Sequence, residues 1–265
     1  MREKSLVIVF DSGVGGLSVF DELARKGFAA KAIYAADTAF LPYGLRSEAE
    51  LKQRVPALFS VLEKRFAPQL FVMACNTAST VALNETRKAV KTPIVGTVPA
   101  IKPAASLTRT GVIGFLGTPG TVEREYSDGL IAEFAGDRSV LRFGSSRLVA
   151  LAERKMAGEA VSPEAIETAL APLFALEHAD RMDVAVLACT HFPLLRPEIE
   201  AASPAGLKWI DSGEAIARRA GGLLQLEEGG GALEPVAAYV TGNADAAMRP
   251  ALQARGFETV EKISL

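Results

Sequence analysis

Apolar residues along this chain follow two alternating rhythms. Short runs dense in Val, Ile, Leu and Ala recur at 6–11 (LVIVFD), 31–37, 70–75 (LFVMAC), 93–97, 111–117 (GVIGFLG), 140–144, 184–189 (VAVLAC), 207–211 and 237–242. Such nearly continuous runs predict strands covered on both faces. Between them, SVFDELARK (18–26) and SEAELKQRVPALFSVLEKRF (47–66) space their apolar residues at i, i+3 and i+4, which predicts amphipathic helices. Strand and helix in alternation predict an α/β fold of mostly parallel sheets flanked by helices. Right-handed crossovers then gather the strand-end loops along one edge of each sheet, where such folds bind ligands.

A longer echo overlies this rhythm. GVIGFLGTPGT (111–121) restarts the pattern of VIVFDSGVGG (7–16), and each start is followed by a later strand ending in Ala-Cys. Two similar lobes are expected: a discontinuous first lobe of residues 1–97 plus 209–265, and a second of residues 98–208. The stretch EEGGGALEP (227–235) reads as a surface loop without a functional role.

Composition narrows the classes of function. With 265 residues, 49% of them hydrophobic, the chain has ample material for a core. The formal charge of −2 comes from well-mixed acids and bases. No basic block follows a phosphate backbone, so nucleic acid is not expected as a partner. MREKSLVIVFDSG passes directly from a charged segment into a strand, so a secretory leader is not expected. Nor does any stretch approach the roughly 20 apolar residues of a membrane span. A cytoplasmic location is expected, where two cysteines serve as packing or reactive groups rather than as a structural disulfide.

Those two cysteines sit in matching surroundings, MACNTAST (73–80) and LACTHFPL (187–194). Each ends a strand and precedes a helix, whose free amides favour anions and are expected to depress a thiol pKa from about 8.5. Packing alone accounts for a small buried Cys. It gives no reason for Asn or Thr to follow in both places.

The other strand-end loops hold polar candidates. In DSGVGG (11–16), Asp11 and Ser12 suit an ammonium group and a carboxylate, while the glycines allow a tight strand-to-helix turn. Their spacing is not that of a dinucleotide site, and no phosphate-loop Lys follows. In FLPYG (40–44), Pro42 and Gly44 shape a turn, and exposed amides at Tyr43 and Gly44 would also suit a carboxylate. His191, two residues past Cys189, can exchange charge with a thiol, whereas His178 in LEHADRMD reads as an exposed bystander. One His and two distant Cys make a poor zinc set, and neither a metal nor an organic cofactor is expected.

Taken together, DSGVGGLSV (11–19), ADTAFLPYG (36–44), ACNTAST (74–80) and ACTHFPLL (188–195) resemble glutamate racemases, within the aspartate/glutamate racemase superfamily. TPGTVEREY (118–126) and SRLVALAE (146–153) resemble further family segments, although the latter lacks the Cys-Pro pair often seen before it. The resemblance implies two α/β lobes with the active site in the cleft between them. It also implies cofactor-independent interconversion of L- and D-glutamate, feeding peptidoglycan synthesis, with a homodimer as one possible assembly.

Racemisation removes the α-proton from one face of a carbon and returns a proton to the other face of a flattened carbanion. Two opposed thiols, acting as base and acid in turn, meet that need. By resemblance, Cys75 takes the proton from D-glutamate and Cys189 from L-glutamate. Ser12, Asn76, Thr77 and Thr190 form a polar cradle, and Tyr43 and Gly44 hold the side-chain carboxylate. Asp11 partners the amino group or Cys75, His191 and Glu153 assist Cys189, and Thr121 is a candidate for the α-carboxylate. The alternatives are an aspartate racemase, whose second motif usually has Glu in the place of His191, and an amino-acid binding protein without chemistry. A thiol redox protein would favour a C-x-x-C pair, which is absent.

Overall fold

The computed structural model describes residues 4–243 and 245–264. Its strands are β1 (Leu6–Asp11), β2 (Lys31–Ala36), β3 (Leu70–Met73), β4 (Ile94–Gly96), β5 (Val112–Gly117), β6 (Ser139–Gly144), β7 (Val184–Leu187), β8 (Lys208–Ile210), β9 (Glu234–Val240) and β10 (Val260–Lys262). Its helices are α1 (Leu17–Arg25), α2 (Glu48–Phe66), α3 (Asn76–Ala89), α4 (Ile101–Leu107), α5 (Pro119–Val122), α6 (Glu125–Ala135), α7 (Ser146–Met156), α8 (Pro163–Phe174), α9 (Arg196–Ala201), α10 (Gly213–Leu224) and α11 (Asp245–Gln253). One sheet runs β10-β9-β2-β1-β3-β4 and the other β6-β5-β7-β8, with every pairing parallel.

The period of two along each strand divides the core. Val7 and Val9 of β1 face a cluster with Leu17, Leu23 and Ala217, while Ile8 and Phe10 face one with Phe59, Leu62 and Phe71. Likewise Val112 and Leu116 of β5 pack with Leu148 and Leu170, and Ile113 and Phe115 with Ile101 and Val186. Both faces of both sheets are covered, which is why these strands read as unbroken apolar runs. On the flank, α2 starts one residue inside its expected range because Ser47 caps it: the hydroxyl accepts from the Glu50 amide and the Glu50 carboxylate accepts from the Ser47 amide at 2.9 Å.

Register carries the two cysteines to equivalent places. Phe10 of β1 lies beside Met73 of β3, and Leu116 of β5 beside Leu187 of β7. Cys75 and Cys189 each follow two residues after those strands, at the carboxyl edge of each sheet.

The chain passes to the four-stranded sheet after β4 and returns after β8. Ser212 donates a hydrogen bond to the carbonyl of Val98, tying the two crossing segments together. The expected return at 209 lies within β8, whose Lys208, Trp209 and Ile210 pair with Val184, Ala185 and Val186 of β7. β10 has no counterpart in the sequence expectations; its Glu261 and Lys262 are exposed at the sheet edge, where main-chain pairing rather than an apolar face defines a strand. The 227–235 segment leans on the end of α1, with the Gly229 and Gly231 amides donating to the carbonyls of Lys26 and Gly27. Among the described residues, no helix is long and apolar enough to cross a membrane.

Candidate active site between the lobes

Cys75 is the N-cap residue of α3 and 6% exposed; its sulfur lies 3.9 Å from the Ser12 hydroxyl. The helix-start reading predicts a depressed thiol pKa, and the structure reverses that direction. Burial pushes the Cys75 thiol up, the charge of Asp11 pushes it further, and the Ala78 amide only partly offsets them. Withdrawal from water outweighs the amides, so Cys75 rests as a thiol.

Cys189 follows β7 and leads into a short 3-10 turn, Phe192–Leu195, before α9. Its sulfur lies 3.8 Å from Nδ1 of His191, whose Nε2 is 2.7 Å from Oε1 of Glu153 on α7. Burial alone would lower the His191 pKa. Hydrogen bonding to Cys189 and Glu153, together with their charges, outweighs it and holds the imidazole pKa well above its ordinary value. Burial raises the Glu153 carboxyl pKa, but His191 and the Val14 amide, which donates to Oε1 at 3.1 Å, bring it net below normal.

Asp11, at the tip of β1, accepts from the Gly13 amide at 2.8 Å and from the Thr190 hydroxyl at 3.0 Å, so it joins the two lobes. Burial raises its carboxyl pKa against the pull of His191. The glycines after it serve a contact that the sequence did not disclose. A Cβ at Gly13 would lie 2.3 Å from the Glu153 carboxylate, and one at Gly15 2.4 Å from His191 Nδ1. They let the second lobe close on the first.

Tyr43 and Gly44 begin a 3-10 turn whose position is fixed from behind. The Tyr43 hydroxyl donates to Asp37 Oδ2 at 2.6 Å, and the Arg54 guanidinium clamps both Asp37 oxygens at 2.6 and 2.7 Å. Burial is the main cause of the raised Tyr43 pKa, so the phenol stays a donor.

Ser12, Tyr43, Gly44, Cys75, Asn76, Thr77, Cys189, Thr190 and His191 line one cavity of about 20 Å³, together with Leu41, Pro42, Thr118 and Val149. Asp11 and Glu153 lie just behind it through the hydrogen bonds above. Thr121 does not line it: fully buried, its hydroxyl sits 2.9 Å from that of Thr118. Thr118 and Val149 were missed by the sequence reading, although Thr118 is the first residue past β5 and the strand-end rule points to it. Asn76 Oδ1 is buried without a hydrogen-bond partner, an acceptor available to a ligand's N–H. His178 is exposed, 3.5 Å from Glu177, and takes no part. Among the described residues, no group of three or more His, Cys, Asp or Glu is arranged to hold a metal ion.

A family model described as Asp/Glu/Hydantoin racemase matches residues 6–220. The chain belongs to the Asp/Glu/Hydantoin racemase family. Within this racemase family, it is 54% identical over 213 residues to the glutamate racemase of Sphingopyxis alaskensis, covering 80% of each chain. It is 45% identical over 262 residues to that of Escherichia coli O7:K1, covering 98% of this chain and 91% of the relative. The crystal structure of Escherichia coli glutamate racemase in complex with L-glutamate and the activator UDP-MurNAc-ala matches with a TM-score of 0.89 at 42% identity over 99% of both chains. An aspartate racemase homologue from Pyrococcus horikoshii, at 18% identity and a TM-score of 0.51 over 84% of this chain and 98% of that one, shares the fold alone. This racemase is therefore an enzyme whose near relatives carry the glutamate name.

Proposed function

We propose that this racemase interconverts L- and D-glutamate without a cofactor, through Cys75 and Cys189 acting as acid and base from opposite faces of the α-carbon. The observation that carries the reading is that two thiols, one from each lobe, line the same cavity. From L-glutamate, Cys189 takes the α-proton with His191 balancing its charge, and Cys75, resting as a thiol, delivers a proton to the other face. From D-glutamate the roles reverse. Ser12, Asn76, Thr77 and Thr190 surround the amino-acid head, Asp11 from behind the cavity directs negative charge toward its ammonium or toward Cys75, and preorganised donors there stabilise charge as the carbanion forms. The amides of Tyr43 and Gly44 take the distal carboxylate, with Thr118 lining the cavity and Thr121 buttressing it from behind. The two lobes that open and close around this site are best divided at 97/98 and in the Asp211–Ser212 segment, which keeps β8 with its sheet. The product serves peptidoglycan synthesis, and both free thiols suit the reducing cytoplasm.

Circular dichroism of L-glutamate and L-aspartate incubated with dialysed, chelator-treated enzyme tests substrate and cofactor together. Glutamate loses its signal and aspartate persists far longer. Comparable turnover of aspartate removes the glutamate assignment, and activity restored only by pyridoxal phosphate or a metal ion removes the two-thiol mechanism. In D2O, early D-glutamate formed from L-glutamate carries α-deuterium while residual substrate stays protiated; label washing into recovered substrate points to a single base.

A further inference from the structure

Arg124 is the N-cap residue of α6, three residues past the TPGT turn. Its side chain is only 11% exposed, and Nη1 is buried with no hydrogen-bond partner. A guanidinium stays charged at any physiological pH, so burial leaves it in need of an anion. The nearest carboxylate, Glu48 on α2 across the cleft, stands 3.6 Å away, is half-exposed, and already takes the Lys52 ammonium at 2.8 Å. That is a poor partner for a desolvated cation.

The position of the guanidinium indicates which anion completes it. A Cβ built on Gly120 would lie 3.3 Å from Arg124 Nη2 and 3.0 Å from the Gly44 carbonyl oxygen, so the cation and the Tyr43–Gly44 turn flank the same glycine. Gly44 in turn abuts the Thr118 side chain, which lines the cavity. Cys75 on the cavity wall is close enough to interact with Arg124 electrostatically whenever its thiol gives up the proton.

We propose that Arg124 is a positioning residue for substrate. Its underpaired guanidinium supplies the positive field that draws the distal carboxylate of a dicarboxylic amino acid onto the Tyr43 and Gly44 amides and sets the preference for that class. The inference rests on the two-thiol glutamate reading above. It acts through the turn, on binding more than on proton transfer.

Steady-state kinetics of the whole enzyme with each enantiomer of glutamate test it. Arg124→Met and Arg124→Gln raise KM about tenfold for both L- and D-glutamate, equivalent to about 1.4 kcal/mol of binding, while kcat stays within about threefold. Arg124→Lys, which keeps the charge, recovers most of the loss. Glu48→Gln, which frees the cation from its competitor, leaves KM unchanged or lowers it. An unchanged KM in Arg124→Met, a loss confined to kcat, or no rescue by Lys overturns the proposal. A KM rise in Glu48→Gln as large as that in Arg124→Met also overturns it, assigning the pair to a latch across the cleft. Wild-type enzyme inactive on glutamate would instead defeat the functional reading, before Arg124 is reached.

Discussion

Cys75 and Cys189 occupy the same station in two different sheets, yet their neighbours differ in kind. Cys75 heads the long helix α3 and faces the Ser12 hydroxyl and the buried Asp11 carboxylate, which pushes its thiol pKa up. Cys189 heads only a 3-10 turn and faces an imidazole backed by Glu153. The backbone supplies symmetry for a reaction whose substrates are mirror images. The side chains break that symmetry: one thiol meets a hydroxyl and a carboxylate, the other an imidazole.

Removing either thiol is the harshest test of that comparison. Cys75→Ser and Cys189→Ser should each lower racemisation by at least about 10³-fold, the upper range for loss of a general acid or base. With a β-substituted glutamate carrying a leaving group, Cys75→Ser should still eliminate from the L-like substrate and Cys189→Ser from the D-like one. Loss of the same enantiomer by both mutants ends the two-face assignment.

The imidazole side comes next. His191→Asn should slow single-turnover proton removal from L-glutamate about 10² times, and proton removal from D-glutamate less. Glu153→Gln should lower the raised His191 pKa, visible as an earlier titration of its ring signal by NMR, because burial then acts with less opposition. The stability consequence has a definite sign. The folded His191 pKa lies above its unfolded value of about 6.5, so the pair's contribution is full below that pH and fades as pH rises through the folded value. The folded Glu153 pKa lies below its unfolded value of about 4.3, so the same contribution is lost as pH falls through the folded value. The melting-temperature gap between wild type and Glu153→Gln should therefore be widest between those limits and close at alkaline pH. A gap independent of pH would reduce the pair to packing.

Ser12→Ala should have the smallest effect. A hydroxyl 3.9 Å from sulfur gives a weak contact, so we expect about a threefold to tenfold loss in kcat from D-glutamate, for which Cys75 is the proposed base. An equal loss in single-turnover proton removal from L-glutamate would make Ser12 a general binding group rather than a neighbour of one thiol.

Much of this arrangement was legible in the sequence because it depends on strand ends. β1 ends on Asp11 as its apolar run predicts, and the Ala-Cys motifs mark the tips of β3 and β7. What escaped depends on groups distant in sequence. The glycines after Asp11 suggested a turn; their purpose is the approach of Glu153 and His191 from a chain segment more than a hundred residues away. Helix-start amides can be counted from sequence, but the burial that overrides them at Cys75 cannot. Thr121 was chosen where Thr118 faces the cavity, because the TPGT motif names a turn without saying which end points inward. β10 was missed for a simpler reason: three residues, two of them charged, leave no periodic signal.

The cavity has one more consequence. At about 20 Å³ it has room for one or two water-sized spheres, so on the proposed reading the lobes would part to admit and release a five-carbon amino acid. Such a movement would turn about the crossing segments, which meet where the Ser212 hydroxyl donates to the Val98 carbonyl. On the proposed two-thiol reading the molecule would work as an airlock, keeping bulk water from the carbanion while it exists and readmitting it only when nothing inside remains to be quenched.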